Sequence, residues 1–244
     1  MNELARVAEF RELLDGYSLS KTTLQTLSQT RLVLLVAPTS SGRNTIIKEL
    51  LKTGDYHFVV SDTTRQPRIN DGIAEQSGHE YWFRTENEVL SDLKAGKYLE
   101  AAIIHDQQVS GISVRELEKA RDEGKIAITD AEIIGADNAI KYKPDTVVIF
   151  VLPPNFDEWQ RRIKHRGIMS PDEFKRRMQS ACKELETALD NSYYQFVINE
   201  SFNDAAMQIN QIAKLGIEDK QLQLCARELA ERLLLATRSL VSTL

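Results

Sequence analysis

Residues 61–68 read Ser-Asp-Thr-Thr-Arg-Gln-Pro-Arg. Arg65 and Arg68 stand three apart in a polar stretch that Pro67 stiffens, and two guanidinium forks can converge on one phosphate, which takes bidentate donors. Ser61 and, beyond a glycine at 78, Tyr81 add hydroxyls of the kind that complete such a site.

A second group lies near the start of the chain. The window Ala37-Pro38-Thr39-Ser40-Ser41-Gly42-Arg43-Asn44 falls on the spacing G-x-x-x-x-G-K-[ST], in which backbone N–H groups cradle phosphates, a lysine reaches them and a hydroxyl takes magnesium. Only the second glycine is kept. Ala37 replaces the first and is tolerable at negative φ. Arg43 keeps the charge as a longer, planar fork. Asn44 offers a carbonyl oxygen where a hydroxyl is expected, and Thr45 supplies the hydroxyl if the register slips by one.

These residues need elements to hold them. Leu32 to Val36 is uncharged and reads as a strand covered on both faces. The helix 44–52 follows the Gly/Ser turn, giving the strand–turn–helix order of a phosphate-binding unit, with exposed N–H groups at the helix start. Further strands are expected at 57–60, 81–83, 98–104, 125–129, 146–152 and 196–198, and 61–80 as a functional loop. Helices are expected at 3–15 (Leu4, Val7, Phe10 and Leu14 inward), 20–29 (Leu24 and Leu27 inward), 87–95, 113–122, 157–164, 171–189 with Ser170 as cap, and 202–215. A last helix, from about 218 to 239, carries the stripe Leu222, Cys225, Leu229, Leu233 and Ala236. Strands alternating with helices predict an α/β fold with a mostly parallel sheet.

The Ser-x-Thr-Thr-Arg-x-Pro-Arg string, followed by a glycine and Tyr81-Trp-Phe83, resembles the substrate-binding region of the guanylate kinases, and the resemblance runs from about Arg31 to Phe202. It implies a P-loop kinase-type parallel sheet core with a GMP-binding insertion at about 61–112 and a helical lid at about 157–190. Residues 1–30 then form an N-terminal helical appendage, 31–215 the kinase-like domain and 216–244 a C-terminal helix. The resemblance assigns Ser61, Arg65, Arg68 and Tyr81 to the phosphate of GMP. Gly96-Lys-Tyr-Leu-Glu100 is similar to the family's Gly-x-Phe-Leu-Glu, whose glutamate accepts from guanine N–H groups that adenine lacks. Val109-Ser-Gly-Ile-Ser113 is nearest to the family's Tyr-Gly-Thr/Ser string, with a register open by one; its tyrosine is missing and Ser113 offers the hydroxyl. Thr129-Asp130-Ala-Glu132 resembles the stretch that places an acid (Asp130) on magnesium or its waters and a second acid (Glu132) on guanine.

On the ATP side, Trp159-Gln-Arg-Arg162-Ile-Lys-His-Arg166-Gly167 resembles the arginine pair of the lid, where two cations four apart share a helical face. Arg177 matches the arginine of the closing helix, and Asn199 the asparagine that contacts adenine. Arg43, Arg162, Arg166 and Arg177 are thus expected on the transferring phosphate, with residues 37–45 and Asn199 holding ATP and Asp130, Asn44 or Thr45 near Mg2+. The expected reaction is ATP plus GMP giving ADP and GDP at reduced efficiency. The alternatives are a catalytically inactive module that binds GMP or a phosphorylated or protein partner, and a kinase for another small phosphorylated acceptor.

Composition agrees. The chain has 244 residues and 42% hydrophobic content, ordinary for a folded domain with appendages. Its formal net charge of −5 gives no reason to expect nucleic acid or an anionic membrane as partner. No signal peptide and no apolar run of membrane-spanning length is read, so a cytoplasmic protein is expected, as monomer or homodimer. Cys182 and Cys225 are expected as buried free thiols.

Overall fold

The computed structural model describes residues 4–244 apart from 71, 105, 166, 168, 217 and 218. In chain order its elements are α1 (Val7–Asp15), α2 (Lys21–Gln29), β1 (Leu32–Val36), α3 (Arg43–Leu51), β2 (Tyr56–Phe58), β3 (Asp62–Thr63), β4 (Ile69–Asn70), β5 (Ile73–Ala74), β6 (Trp82–Phe83), α4 (Glu86–Lys94), β7 (Tyr98–Ile104) and β8 (Gln108–Ser113). There follow α5 (Val114–Asp122), β9 (Ile126–Asp130), α6 (Ile133–Tyr142), β10 (Val147–Leu152), α7 (Phe156–His165), α8 (Pro171–Asp190), β11 (Tyr194–Ile198), α9 (Phe202–Leu215) and α10 (Lys220–Thr243). None of the described helices is long and apolar enough to cross a membrane. The chain divides into two compact units.

One unit comprises Val33–Gly54, Asp130–Ala136 and Val147–Leu244. Its β1 is buried at every position, which a central parallel strand requires. β1 pairs parallel with β10 (Leu35 opposite Ile149), and β10 parallel with β11 (Phe150 opposite Phe196). Helix α9 packs on α3. Ser170 caps α8 by accepting from the Glu173 N–H, and Pro171 occupies the first turn, where its missing N–H is not needed.

Helix α10 runs to Thr243 and packs along α8 and β11. The face it buries is Ala226, Leu229, Ala230, Leu233, Leu234 and Thr237. This corrects the expected stripe. Leu222 and Cys225 are exposed and Ala236 is half-buried. Leucines at 222, 224 and 235 blur the sequence periodicity, and contact with α8 selects a face turned from the predicted one. The Gln223 amide lies on β11: its Oε1 accepts from the Phe196 N–H at 2.9 Å and its Nε2 donates to the Phe196 carbonyl at 3.0 Å. Arg238 pairs with Glu186 of α8.

The other unit comprises Met1–Leu32, Asp55–Thr129 and Asp137–Thr146. β2 pairs parallel with β9, and a separate four-stranded sheet has the order β6-β3-β8-β7. The expected loop at 61–80 in fact contains β3 and the hairpin β4–β5; strands this short leave no alternation to read. The residue pattern predicts neither β8 nor α6. The start of the chain belongs to this unit's core: Leu4 and Phe10 are buried with Val89, Leu90, Leu93, Tyr98 and Val109. Tyr17 anchors it, accepting from the Tyr98 N–H and donating to the Tyr98 carbonyl, both at 2.7 Å. In α2, Leu27 is buried as expected, but Leu24 is exposed and Thr23 and Thr26 are buried instead.

Candidate active site

In the unit built on β1, the loop 37–42 passes from the strand into α3. Ser40 has φ of 63° and Gly42, the residue before the helix, φ of 97°. A left-handed serine stores on the order of 1 kcal/mol of backbone strain or more, and such strain persists where the surroundings fix it. Gly42 is required twice over: besides its φ, a Cβ there would stand 2.4 Å from Nδ2 of Asn199. Asn199 is fully buried and donates from Nδ2 to the Ser41 carbonyl at 2.7 Å.

The helices expected as a lid reach the same loop. Trp159 of α7 is fully buried, and its indole N–H donates to the Thr39 carbonyl at 2.8 Å. Arg177 of α8 donates to Thr39 Oγ1 at 3.2 Å and is braced by Glu173 at 2.6 Å. Arg162 of α7 donates to Glu158 at 2.8 Å and to the Asn199 carbonyl at 3.2 Å. The Arg161 and Arg162 guanidiniums hold the Glu158 carboxyl down at about 2. Arg43 donates to the Ala131 carbonyl at 2.9 Å.

The loop and the arginines of α3, α7 and α8 line a cavity of about 1030 Å³. All of residues 37–45 line it, with Asp130, Glu132, Arg161, Arg162, Arg176, Arg177 and Glu184. Three polar atoms of residues on its wall are buried without a hydrogen-bond partner, Ser40 Oγ, Ser41 Oγ and Arg162 Nη1, and so is Oδ1 of Asn199 beside the loop. Such atoms are costly unless something satisfies them. Glu184, which sequence reasoning did not single out, also has a buried, partnerless Oε2. Burial first, and then the charge of Glu132, push its carboxyl up to about 7, against the pull of Arg43. Arg43, Arg162, Arg177, Asp130, Asn44 and Thr45 lie on this wall with the loop, and Asn199 is tied to the loop at the Ser41 carbonyl. Arg166 lies outside the described residues. Glu132, expected at the base of GMP, is found on this cavity's wall.

In the other unit, strand register decides which side chains share a face. Glu100 pairs with Ile112, Ala102 with Ser110, Ser110 with Thr63, and Thr63 with Phe83. Ser61 and Arg65 flank β3 rather than belong to it, and Tyr81 directly precedes β6. The Arg65 guanidinium lies 4.8 Å from the Tyr81 ring centroid and 5.5 Å from that of Phe83. So Glu100, Ser110, Thr63 and Phe83 share one face, with the Ser110 and Thr63 hydroxyls bonded at 3.0 Å and Arg65 and Tyr81 against the Phe83 ring. Ser113 does not. It alternates to the opposite face, is 2% exposed, and its Oγ accepts from the Arg115 N–H at the start of α5. The sequence offered Ser110 only within a string of open register.

Local backbone explains the placement. A β-bulge between Tyr98 and Glu100 re-aims the glutamate. Gly111, opposite Ala101, permits close strand approach: a Cβ there would lie 2.4 Å from the Glu100 carbonyl. Burial pushes the Glu100 carboxyl up to about 7. Beneath the strand, buried Asp62 accepts from Tyr98 Oη at 2.6 Å and from Arg115 at 2.7 Å, stiffening β3 from behind.

Sequence reasoning also missed Glu75. It grips the Arg65 fork at 2.5 and 2.9 Å and accepts from the Arg68 N–H at 2.8 Å. Hydrogen bonds from Arg65 hold its carboxyl at about 2. The Arg68 side chain is exposed and, with Arg65 and Phe83, lines a cavity of about 940 Å³; Ser61, Tyr81 and Glu100 are not among that cavity's walls.

A parallel α/β core carrying a strand–loop–helix phosphate cradle defines the class of P-loop nucleoside monophosphate kinase folds. The guanylate kinase family model matches residues 29–215. A guanylate kinase of Corynebacterium jeikeium is 31% identical over 192 residues, covering 78% of this chain and 99% of that one. One of Clostridium perfringens is 34% identical over 182 residues, covering 74% and 81%. The crystal structure of guanylate kinase from Anaplasma phagocytophilum matches with a TM-score of 0.56 at 24% identity, over 83% of this chain and 94% of that one. The chain belongs to the guanylate kinase family, and its phosphate loop departs from the motif at Ala37, Arg43 and Asn44.

Proposed function

We propose that this chain transfers a phosphoryl group from ATP to GMP, giving ADP and GDP, at reduced efficiency. The observation that carries the reading is the set of partnerless buried donors and acceptors around a loop cavity edged by arginines from α3, α7 and α8. That is a wall suited to a polyanion. Arg43, Arg162 and Arg177 act on the transferring phosphate, the loop N–H groups hold the rest of the triphosphate, and Asn199 braces the loop at the Ser41 carbonyl.

Mg2+ fits here as well. Asp130 with Thr45 or Asn44 supplies the oxygen ligands that magnesium takes alongside phosphate, and the ion would neutralise charge on the phosphate oxygens. Ser61, Arg65, Arg68 and Tyr81 would hold the GMP phosphate, and Glu100 would accept from guanine N–H groups. The acceptor phosphate is itself the nucleophile, so no strong base is needed. The remaining requirement is that donor and acceptor be held in line and dry.

Reduced efficiency follows from the loop. Losing one well-placed charge donor costs roughly 10² to 10³ in rate, and Arg43 offsets part of it. A coupled ADP-release assay tests the proposal, with GMP-dependent turnover expected in the wild type and a rate roughly 10² to 10³-fold lower in Arg43→Ala. Wild-type turnover no higher than that of the Arg43→Ala protein overturns it.

One observation favours a second reading, a non-catalytic module that binds GMP. Arg43 is tied to the Ala131 carbonyl and the Arg65 fork to Glu75, so both cations are engaged internally. Calorimetric binding of GMP without binding of ATP would select it.

A further inference from the structure

Phe202 opens α9, directly after its Ser201 cap, and is 42% exposed. Its side chain lies on the wall of the loop cavity. Among the described residues lining that wall it is the one phenyl, phenol or indole ring; the others are small, polar or charged. The ring is seated against the cradle itself, since a Cβ on Gly42 would stand 3.1 Å from Phe202 Cε1. A flat apolar face is therefore left in water beside the point where phosphate-binding N–H groups begin. Phosphates have no use for it. The base of a nucleoside triphosphate does, because every base presents a π-face and stacking on an aromatic ring is worth about a tenfold or greater change in affinity.

We infer that Phe202 is the platform on which the base of the donor nucleotide stacks. The inference rests on the donor reading above and adds a specificity-determining residue to it. Phosphate affinity then comes from the loop and the arginines, and nucleoside affinity from the ring.

The test compares ATP with inorganic tripolyphosphate, which carries the phosphates without a base, by calorimetry on the full chain with magnesium present. Wild-type protein is expected to bind ATP more tightly than tripolyphosphate. Phe202→Ala should weaken ATP about tenfold and leave tripolyphosphate unchanged. Phe202→Leu keeps an apolar side chain against Gly42 without a π-face and should behave like Phe202→Ala, whereas Phe202→Trp should retain ATP. Unaltered ATP affinity in Phe202→Ala overturns the inference, as does an equal loss of both ligands, which would make the ring a mere buttress of Gly42. Equal wild-type affinity for the two ligands overturns the stacking while leaving the donor cavity in place. Binding of neither ligand overturns the donor reading and this inference with it.

Discussion

At the scale of single residues, Glu100 combines a proposed role with a cost. Burial raises its carboxyl from the ordinary 4.5 to about 7. The folded chain therefore holds this proton more tightly than the unfolded chain does. Its contribution to stability is full below about pH 4.5 and is lost as pH rises through about 7. Glu100→Gln should remove that dependence. Relative to the variant, the wild type is expected to lose about 2 kcal/mol between pH 5 and pH 8, read from urea midpoints of both proteins. Glu184 titrates in the same sense in both proteins and cancels in the comparison. A carboxylate that accepts from guanine must be ionised, so wild-type GMP affinity should rise through the same pH range while that of Glu100→Gln stays low and flat. A flat wild-type profile would separate Glu100 from the base. Residues of this kind are the most legible from sequence, because the Thr-Thr-Arg string and the strand-borne glutamate carry their chemistry in their types. Glu75 is not legible. A lone carboxylate in a polar segment carries no mark until the chain folds it onto the Arg65 fork.

At the scale of elements, the phosphate loop is held by helices from much later in the chain. Trp159 brings α7, and Arg177 brings α8, to the single residue Thr39. Trp159→Phe keeps a ring but removes the bond to the Thr39 carbonyl and part of the buried volume. It should cost about 2 kcal/mol in denaturant unfolding with an unchanged m-value. It should also raise the KM for ATP more than it changes kcat, since the loop then loses a fixed support. A KM equal to that of the wild type would show that the indole N–H does not position the loop. Long elements with clear caps or uncharged runs, such as β1, β10 and α8, are readable from residue types and their spacing. β3, β4 and β5 are not, since two residues hold no period. The face of α10 is misread from its periodicity because its leucines nearly encircle it, and only packing on α8 distinguishes them.

At the scale of the whole molecule, the two candidate binding faces fall in separate compact units, each discontinuous in sequence. Binding stabilises the structure that binds, by mass action. Hydrogen exchange should therefore respond to the two ligands in different places. GMP should slow exchange at residues 61–65, 81–83 and 98–112, and ATP at 37–45 and in α7 and α8. Protection of the same peptides by both nucleotides would refute this division of labour. The sequence shows the α/β order and the resemblance spanning its middle. It does not show that the first thirty residues supply Leu4, Phe10 and Tyr17 to the packing around β7, since helical periodicity says which face is apolar and not what will cover it.

The Gln223 amide has a consequence for how the protein behaves in company. An outermost strand normally offers its N–H and C=O groups to any neighbour, and parallel sheets are slow to form, so such a margin is a seed for aggregation. Here the pair of groups on Phe196 is already answered by a side chain that mimics one residue of an adjoining strand. A stray chain could zip onto this border only by first prising away a helix of 24 residues. The last helix thus doubles as a hem that keeps the sheet from fraying into its neighbours.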